Sequence, residues 1–361
     1  MSELSPTLRA NMILPVDIVL SPSWWHDHEG MSFEEDFYYN PLRRVEAEKQ
    51  MEEALYKRWG RFGLGADKDE NRPELGPVHL AAGFMISEML GCEVRYNADT
   101  APEVVPARKK DLSLDVEAAF DSEAFQRFAR LAEALKQRHG YVSGDANWGG
   151  TLNIALDLRG EAFFLDMYDT PHEAKDYLGK IAAVTDRFVR WVEEQTETTS
   201  ITVNRSVRHL SPPVFLHAEC SHTMISCEAY ENFLLDIDVN WSKTHRAFGI
   251  HYCGRDPHRY AESFRKIPHL DFLDVGWGGD VRDLRARLPK TFLNLRLSPV
   301  ELVHQKRSEV EETIRRLVKD SGGPRLTGVC CINMDANVPD ENITAIFETV
   351  EELRKDRASA A

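Results

Sequence analysis

Cysteine is scarce in this chain, with six residues (92, 220, 227, 253, 330 and 331) in 361. That is too few for a disulfide scaffold at this length, so a reduced, cytoplasmic protein is expected. No run of about 18 apolar residues occurs, which excludes a spanning helix from the expected elements. The opening Met1-Ser-Glu-Leu-Ser-Pro has no basic stretch followed by an apolar one, so no secretion signal is expected. No Gly-x-Gly-x-x-Gly turn follows an apolar run, which counts against dinucleotide binding. Positive charge is also short: 44 Lys plus Arg stand against 59 Asp plus Glu, a formal net charge of −15. Such a surface repels a phosphate backbone, so nucleic acid is not an expected partner.

What is present is an ordinary globular balance, 42% hydrophobic and 29% charged. The length suits one large α/β barrel or two average domains. Residues 13–20 read as a strand, and Ser21–Gly30 as a loop dense in aromatics and histidine. There Trp25 and His26 either face a substrate or plug the core. A charged amphipathic helix is expected over 41–59, opened by Pro41. A second helix or mixed segment is expected over 76–91, and loop over 100–113. From residue 121 the pattern becomes regular. A helix over 122–138 ends in Lys-Gln-Arg-His-Gly140, basic residues and glycine where a helix terminus favours them. A strand at 141–144, a helix from Thr151 and another from Thr170 through Val192 follow. Strands are then expected at 213–218, 248–251, 272–275, 291–295 and 326–332. Helices over 226–246, 257–266, 280–288, 299–319 and from 340 separate them. The strands are apolar throughout, as in parallel sheets covered on both faces. Strand and helix alternating with short connections predict a parallel α/β fold. A (β/α)8 TIM barrel with an N-terminal extension accounts for the length in a single domain, 1–361. An open doubly wound sheet is the competing architecture.

Polar residues gather where the expected strands end. Asp145 and Asn147 follow one, Glu219, Cys220 and His222 the next, and His251 and Cys253 another; Asp274 and Asp280 flank Trp277, and Arg296 follows Asn294. Barrel strand ends form one face, where active sites are built. His251 and Cys253 are two apart and project from the same side of a strand. Imidazole plus thiolate is a good start on a zinc site. The third donor is expected from Cys330 or Cys331, of which only one can face the metal. Each of these residues has a bland alternative, as core thiol, satisfied histidine or helix cap. Trp148 with Trp24, Trp25 and Trp277 would either line a pocket for an aromatic ligand or be ordinary core aromatics. Glu219, His222 and Asp145 are the expected proton carriers, and Asn147 and Arg296 the expected substrate contacts.

Several runs carry a family resemblance. They are Gly144-Asp-Ala-Asn-Trp-Gly-Gly-Thr-Leu-Asn-Ile-Ala, Arg159-Gly-Glu-Ala-Phe-Phe-Leu-Asp-Met and Asp169-Thr-Pro-His-Glu. Met224-Ile-Ser-Cys-Glu-Ala-Tyr-Glu-Asn-Phe-Leu, His251-Tyr-Cys-Gly254 and Pro339-Asp-Glu-Asn-Ile-Thr-Ala-Ile complete the set. Together, over 121–352, they resemble the uroporphyrinogen decarboxylase superfamily, with 1–120 as extension and first barrel elements. The resemblance implies a (β/α)8 barrel. The decarboxylases carry an N-terminal Arg-Gln-Ala-Gly-Arg-like segment, and this chain has Trp24-Trp-His-Asp-His28 there instead. His251, Cys253 and Cys330 or Cys331 resemble the zinc motif of the cobalamin-dependent methyltransferases, His-x-Cys followed far downstream by Cys. The doubled cysteine followed by Ile332 departs from that branch, which has a single Cys followed by Gly. The branch implies Zn2+ as cofactor and methyl transfer between a small-molecule donor or acceptor and cobalamin. Methoxylated aromatics (O-demethylation) are one substrate class. No Asp-x-His-x-x-Gly corrinoid signature occurs, so the cobalamin would be carried by a separate corrinoid protein. A homodimer is open to such a chain. The rival expectations are a metal-free decarboxylase or lyase, and a non-catalytic barrel that binds a tetrapyrrole or corrinoid.

Overall fold

The computed structural model describes residues 8–67, 72–144, 146–197 and 204–358. Asp145, an expected proton carrier, lies outside them. Six strands form one sheet: β1 (Val16–Leu20), β2 (Phe215–Ala218), β3 (Phe248–His251), β4 (Phe272–Val275), β5 (Phe292–Arg296) and β6 (Thr327–Met334). Their order is β1-β6-β5-β4-β3-β2, and every neighbouring pair is parallel. All residues of β1 through β5 are buried, as the unbroken apolar runs require.

Alternation then sorts the side chains. Val19, Leu216, Phe272, Phe292 and Ile332 share one small apolar cluster on the inner face. Ile18, Phe215, Ile250, Leu273, Leu293 and Val329 belong to the large outer core under the helices. The sheet is thus curled, a half-barrel with a lined interior.

Eight strands are not formed by the described residues. The expected strand at 141–144 is reduced to one bridge, Glu74 to Ser143. Two irregular segments meet there. Leu75 N–H donates to Ser143 O at 2.8 Å, and Ser143 N–H donates to Pro73 O at 3.0 Å. Pro73 and Pro77 offer no donor to a ladder, and Gly144 turns the backbone at φ +81°. On one side Thr151 N–H reaches His217 Nε2 of β2 at 3.2 Å. On the other His79 lies edge-on to Trp25, beyond β1, at 6.0 Å.

Other expectations need correction. The 21–30 loop is mostly helix, Pro22–Glu29, because Ser21 accepts from Trp24 N–H and Pro22 opens the first turn. The 226–246 helix breaks at Leu234 into Cys227–Phe233 and Leu235–Thr244. That over 299–319 splits into Pro299–Leu302 and Arg307–Asp320. Within 76–91 only Met85–Met89 is α-helical. Part of the 100–113 loop pairs as Glu103–Val105 with Glu93–Arg95. Periodicity alone does not see such breaks, since the apolar positions on either side stay in phase.

Glu74 makes the irregular segment sensitive to pH. Burial first, and then the Glu48 carboxylate, hold its carboxyl up at about 7. The native state keeps a proton that the unfolded chain releases near 4.5, so stability falls as pH rises through about 7. Glu74→Gln is expected to raise the melting temperature by a few degrees at about pH 8 and to leave it unchanged at about pH 4. Thermal melts across pH check this; an equal shift at both ends would contradict it.

Candidate metal centre

His251 ends β3 on the inner face, opposite in orientation to Phe248 and Ile250, which join the outer core. The extended backbone continues one residue further, where Tyr252 N–H donates to Asp274 O at 3.0 Å. Cys253 therefore projects beside His251, and its Sγ lies 2.8 Å from His251 Nε2. Cys220 arrives from the short 3-10 turn Cys220–Met224 that follows β2. Its Sγ lies 2.6 Å from Cys253 Sγ. One donor atom from each of the three falls within 4.8 Å of the others. Among the described residues no other group of His, Cys, Asp or Glu meets that criterion.

Neighbouring strands set up this trio. Asp274 of β4 bonds His251 Nδ1 through Oδ2, which leaves Nε2 for a ligand. Asn294 of β5 donates Nδ2 to Asp274 Oδ1 at 3.2 Å. Arg296, at the end of β5, is buried; its guanidinium stands 5.2 Å from the Trp277 ring, and Nη1 reaches Tyr252 O at 3.5 Å.

The charges are coupled. The bond to Cys220 is the first cause holding Cys253 well below the usual thiol range; His251 and Arg296 add to it against burial. The same bond, with burial, pushes Cys220 up. Burial alone would depress His251, yet Cys253 and Asp274 together raise it to about 9. These shifts favour a protonated ring beside the Cys253 thiolate, with Cys220 the sulfur that keeps its proton. Two sulfurs and one imidazole nitrogen are the donors zinc prefers, and a metal ion would replace the shared protons. Three protein donors also leave a position open, as at catalytic zinc.

Cys330 and Cys331 face opposite ways, as adjacent strand residues must. Cys330 points inward, 3.1 Å from Asn294 Nδ2 and 3.7 Å from Asp274 Oδ1. Cys331 points outward, 3.6 Å from Leu297 O. Burial pushes both thiols up, Cys331 to about 12. Neither joins the compact trio; Cys220 stands where one of them was expected. The signal for Cys220 was its place just past an apolar strand, the same offset that singles out Cys253.

The remaining expected site residues are mostly structural in their contacts. Glu219 accepts Leu152 N–H at 2.7 Å and Ser221 N–H at 3.1 Å, and burial holds it at about 7. His222 is fully buried among Tyr230, Tyr260 and Phe264, and that burial keeps its ring neutral. Trp148 packs on Phe215 at 5.3 Å. Asn147 is buried beside Gly83. Trp25 is core, edge-on to Trp24, while His26 closes its own helix by a 2.8 Å contact to Met31 O. Arg296 and Trp277 are the two expected substrate contacts that the fold brings next to the trio.

Three comparisons bear on the chain. The family model described as uroporphyrinogen decarboxylase (URO-D) matches residues 81–353. No curated protein matches by sequence. Among solved structures, a methyltransferase from Methanosarcina mazei is similar, with a TM-score of 0.62, 14% identity and coverage of 94% of this chain and 94% of that one. At that identity the likeness shows the fold.

Proposed function

Since the chain belongs to the uroporphyrinogen decarboxylase family, we propose that it is a methyltransferase of that family that works with zinc and a separate corrinoid protein. The methyl group would move between a small molecule, of which methoxylated aromatics are the favoured class, and the partner's corrinoid. The Cys220–His251–Cys253 trio carries this reading. A fold shared with the Methanosarcina mazei methyltransferase is consistent with it.

Cys220, His251 and Cys253 would hold the ion. Bound zinc supplies Lewis acidity to the heteroatom that carries or receives the methyl group. Asp274 occupies Nδ1 and would so leave Nε2 of the ring for the ion. Arg296, whose charge acts on Cys253, lies over the face of the Trp277 ring, and the two would serve as substrate contacts. A strand-end location keeps these groups on rigid backbone.

The test is elemental analysis followed by a methyl-transfer assay. Purified protein is expected to carry about one zinc, the single ion that one three-donor site holds. With methoxybenzoates and reduced cobalamin it is expected to form methylcobalamin, seen by its absorption spectrum. Chelation should abolish the reaction and added zinc restore it. Full turnover by metal-free protein, or wild type without stoichiometric metal, would refute the proposal.

A further inference from the structure

The polar chain beneath the trio has a fixed direction. His251 Nδ1 meets Asp274 Oδ2, Asp274 Oδ1 accepts from Asn294 Nδ2 at 3.2 Å, and Asn294 Nδ2 also lies 3.1 Å from Cys330 Sγ. All four residues are fully buried. A carboxylate only accepts, so its neighbours on both sides must donate. This fixes the Asn294 amide with its nitrogen toward Asp274. The outward amide oxygen, next to Gly328, has no hydrogen-bond partner.

We propose that Asp274 and Asn294 are positioning residues for metal capture, acting as one directional unit, and that Cys330 closes this unit and is not a metal ligand. The inference rests on the zinc reading above and extends it from the ligands to the residues that orient them. Zinc can take His251 through Nε2 only if Nδ1 keeps its proton. An acceptor must then face Nδ1. Asp274 provides one whichever oxygen it presents, and the Asn294 and Asn204 side chains keep the carboxylate from rotating away.

The direction makes a specific prediction. In Asp274→Asn the new amide has one acceptor and one donor. Turning its oxygen to His251 sets its NH2 against the NH2 of Asn294. Turning its NH2 to His251 forces the ring proton onto Nε2, the ligand atom. Flipping Asn294 instead gives up the 3.1 Å contact of its Nδ2 with Cys330 Sγ, and losing a buried hydrogen bond is costly. Every arrangement therefore penalises the zinc-bound ring. Adding Asn294→Asp removes the conflict. The carboxylate introduced on β5 accepts the NH2 of the amide introduced on β4, and that amide is free to present its oxygen to Nδ1–H. The double variant has the same composition of one amide and one carboxylate, exchanged in place.

Zinc affinity is measured by competition with a chromophoric chelator, a readout independent of turnover. Asp274→Asn is expected to bind zinc about 10- to 100-fold more weakly than wild type. Asp274→Asn/Asn294→Asp is expected to recover most of that loss. Asn294→Leu keeps ring and carboxylate and removes only the donor; it is expected to weaken binding by about tenfold, and it serves if Asp274→Asn does not fold. Cys330→Ser is expected to bind like wild type. Unchanged affinity in both Asp274→Asn and Asn294→Leu overturns the positioning role while the zinc reading stands. A double variant no better than Asp274→Asn overturns the directional argument. Loss of zinc on Cys330→Ser, in protein that melts like wild type, overturns the placement of Cys330. Wild type that binds no zinc removes the reading itself.

Discussion

Cys253→Ser and Cys220→Ser are each expected to lower zinc affinity by on the order of 100-fold or more, with methyl transfer falling in step. Serine offers no thiolate at neutral pH, so each change removes a charged soft donor while nearly conserving volume. Cys253 should show the larger loss, since it is the residue that His251, Arg296 and the Cys220 thiol hold as thiolate. Cys330→Ser and Cys331→Ser should keep about one zinc, because neither sulfur belongs to the compact trio. Their cost is confined to exchanging a buried thiol for a hydroxyl, about 1 kcal/mol, seen as a small drop in melting temperature. Elemental analysis and melting curves on the four variants separate ligand loss from unfolding. The opposite pattern, metal kept by Cys220→Ser and lost by Cys330→Ser, would restore the ligand set that the family resemblance implies.

The cysteines mark how far a sequence reaches. His251-x-Cys253 was legible because strand alternation is a short-range rule: two residues apart means the same face. The same rule predicted that Cys330 and Cys331 diverge, and they do. Which strand end supplies the third donor is a different kind of question. It depends on curvature of the sheet and on the turn Cys220–Met224, neither of which leaves a periodic signal. β2 and β3 are hydrogen-bonded neighbours, with Ala218 opposite His251. Their following turns are thus forced together, whereas β6 is separated from β3 by β5 and β4. Strand order decides the ligand, and strand order is set by long-range pairing. The same limit explains the barrel. Six of the seven expected strands form. The seventh, at 141–144, meets a segment that carries Pro73 and Pro77 and keeps only one bridge, Glu74 to Ser143. Trp24 and Trp25 were ambiguous for a related reason, since an aromatic plug and an aromatic pocket have the same composition until packing is known.

Gly276→Ala is expected to be strongly destabilising and to disturb the metal centre. A Cβ at Gly276 would stand 1.8 Å from Gly254 O and 2.9 Å from Tyr252 O, so the backbone of the segment that follows β3 is in the way. These two residues flank Cys253, and Gly276 follows β4, the strand that carries Asp274. No rotamer relieves a clash with backbone, so the two strand ends must separate. Overpacking of this kind costs roughly 3 kcal/mol, a melting shift on the order of 4 °C in a chain this size. Zinc affinity should fall as well, because the separation moves Cys253 away from Cys220 and His251 away from Asp274. Gly179→Ala gives the contrasting sign. Gly179 is exposed within the helix Pro171–Thr196, has no atom within 4 Å of an added Cβ, and does not have a positive φ. Alanine there should stabilise by about 0.5–1 kcal/mol and leave zinc binding untouched. Paired melting and zinc-competition curves on the two variants test whether close backbone approach at the strand ends is what shapes the site. If Gly276→Ala melts and binds zinc like wild type, the site does not depend on that close approach.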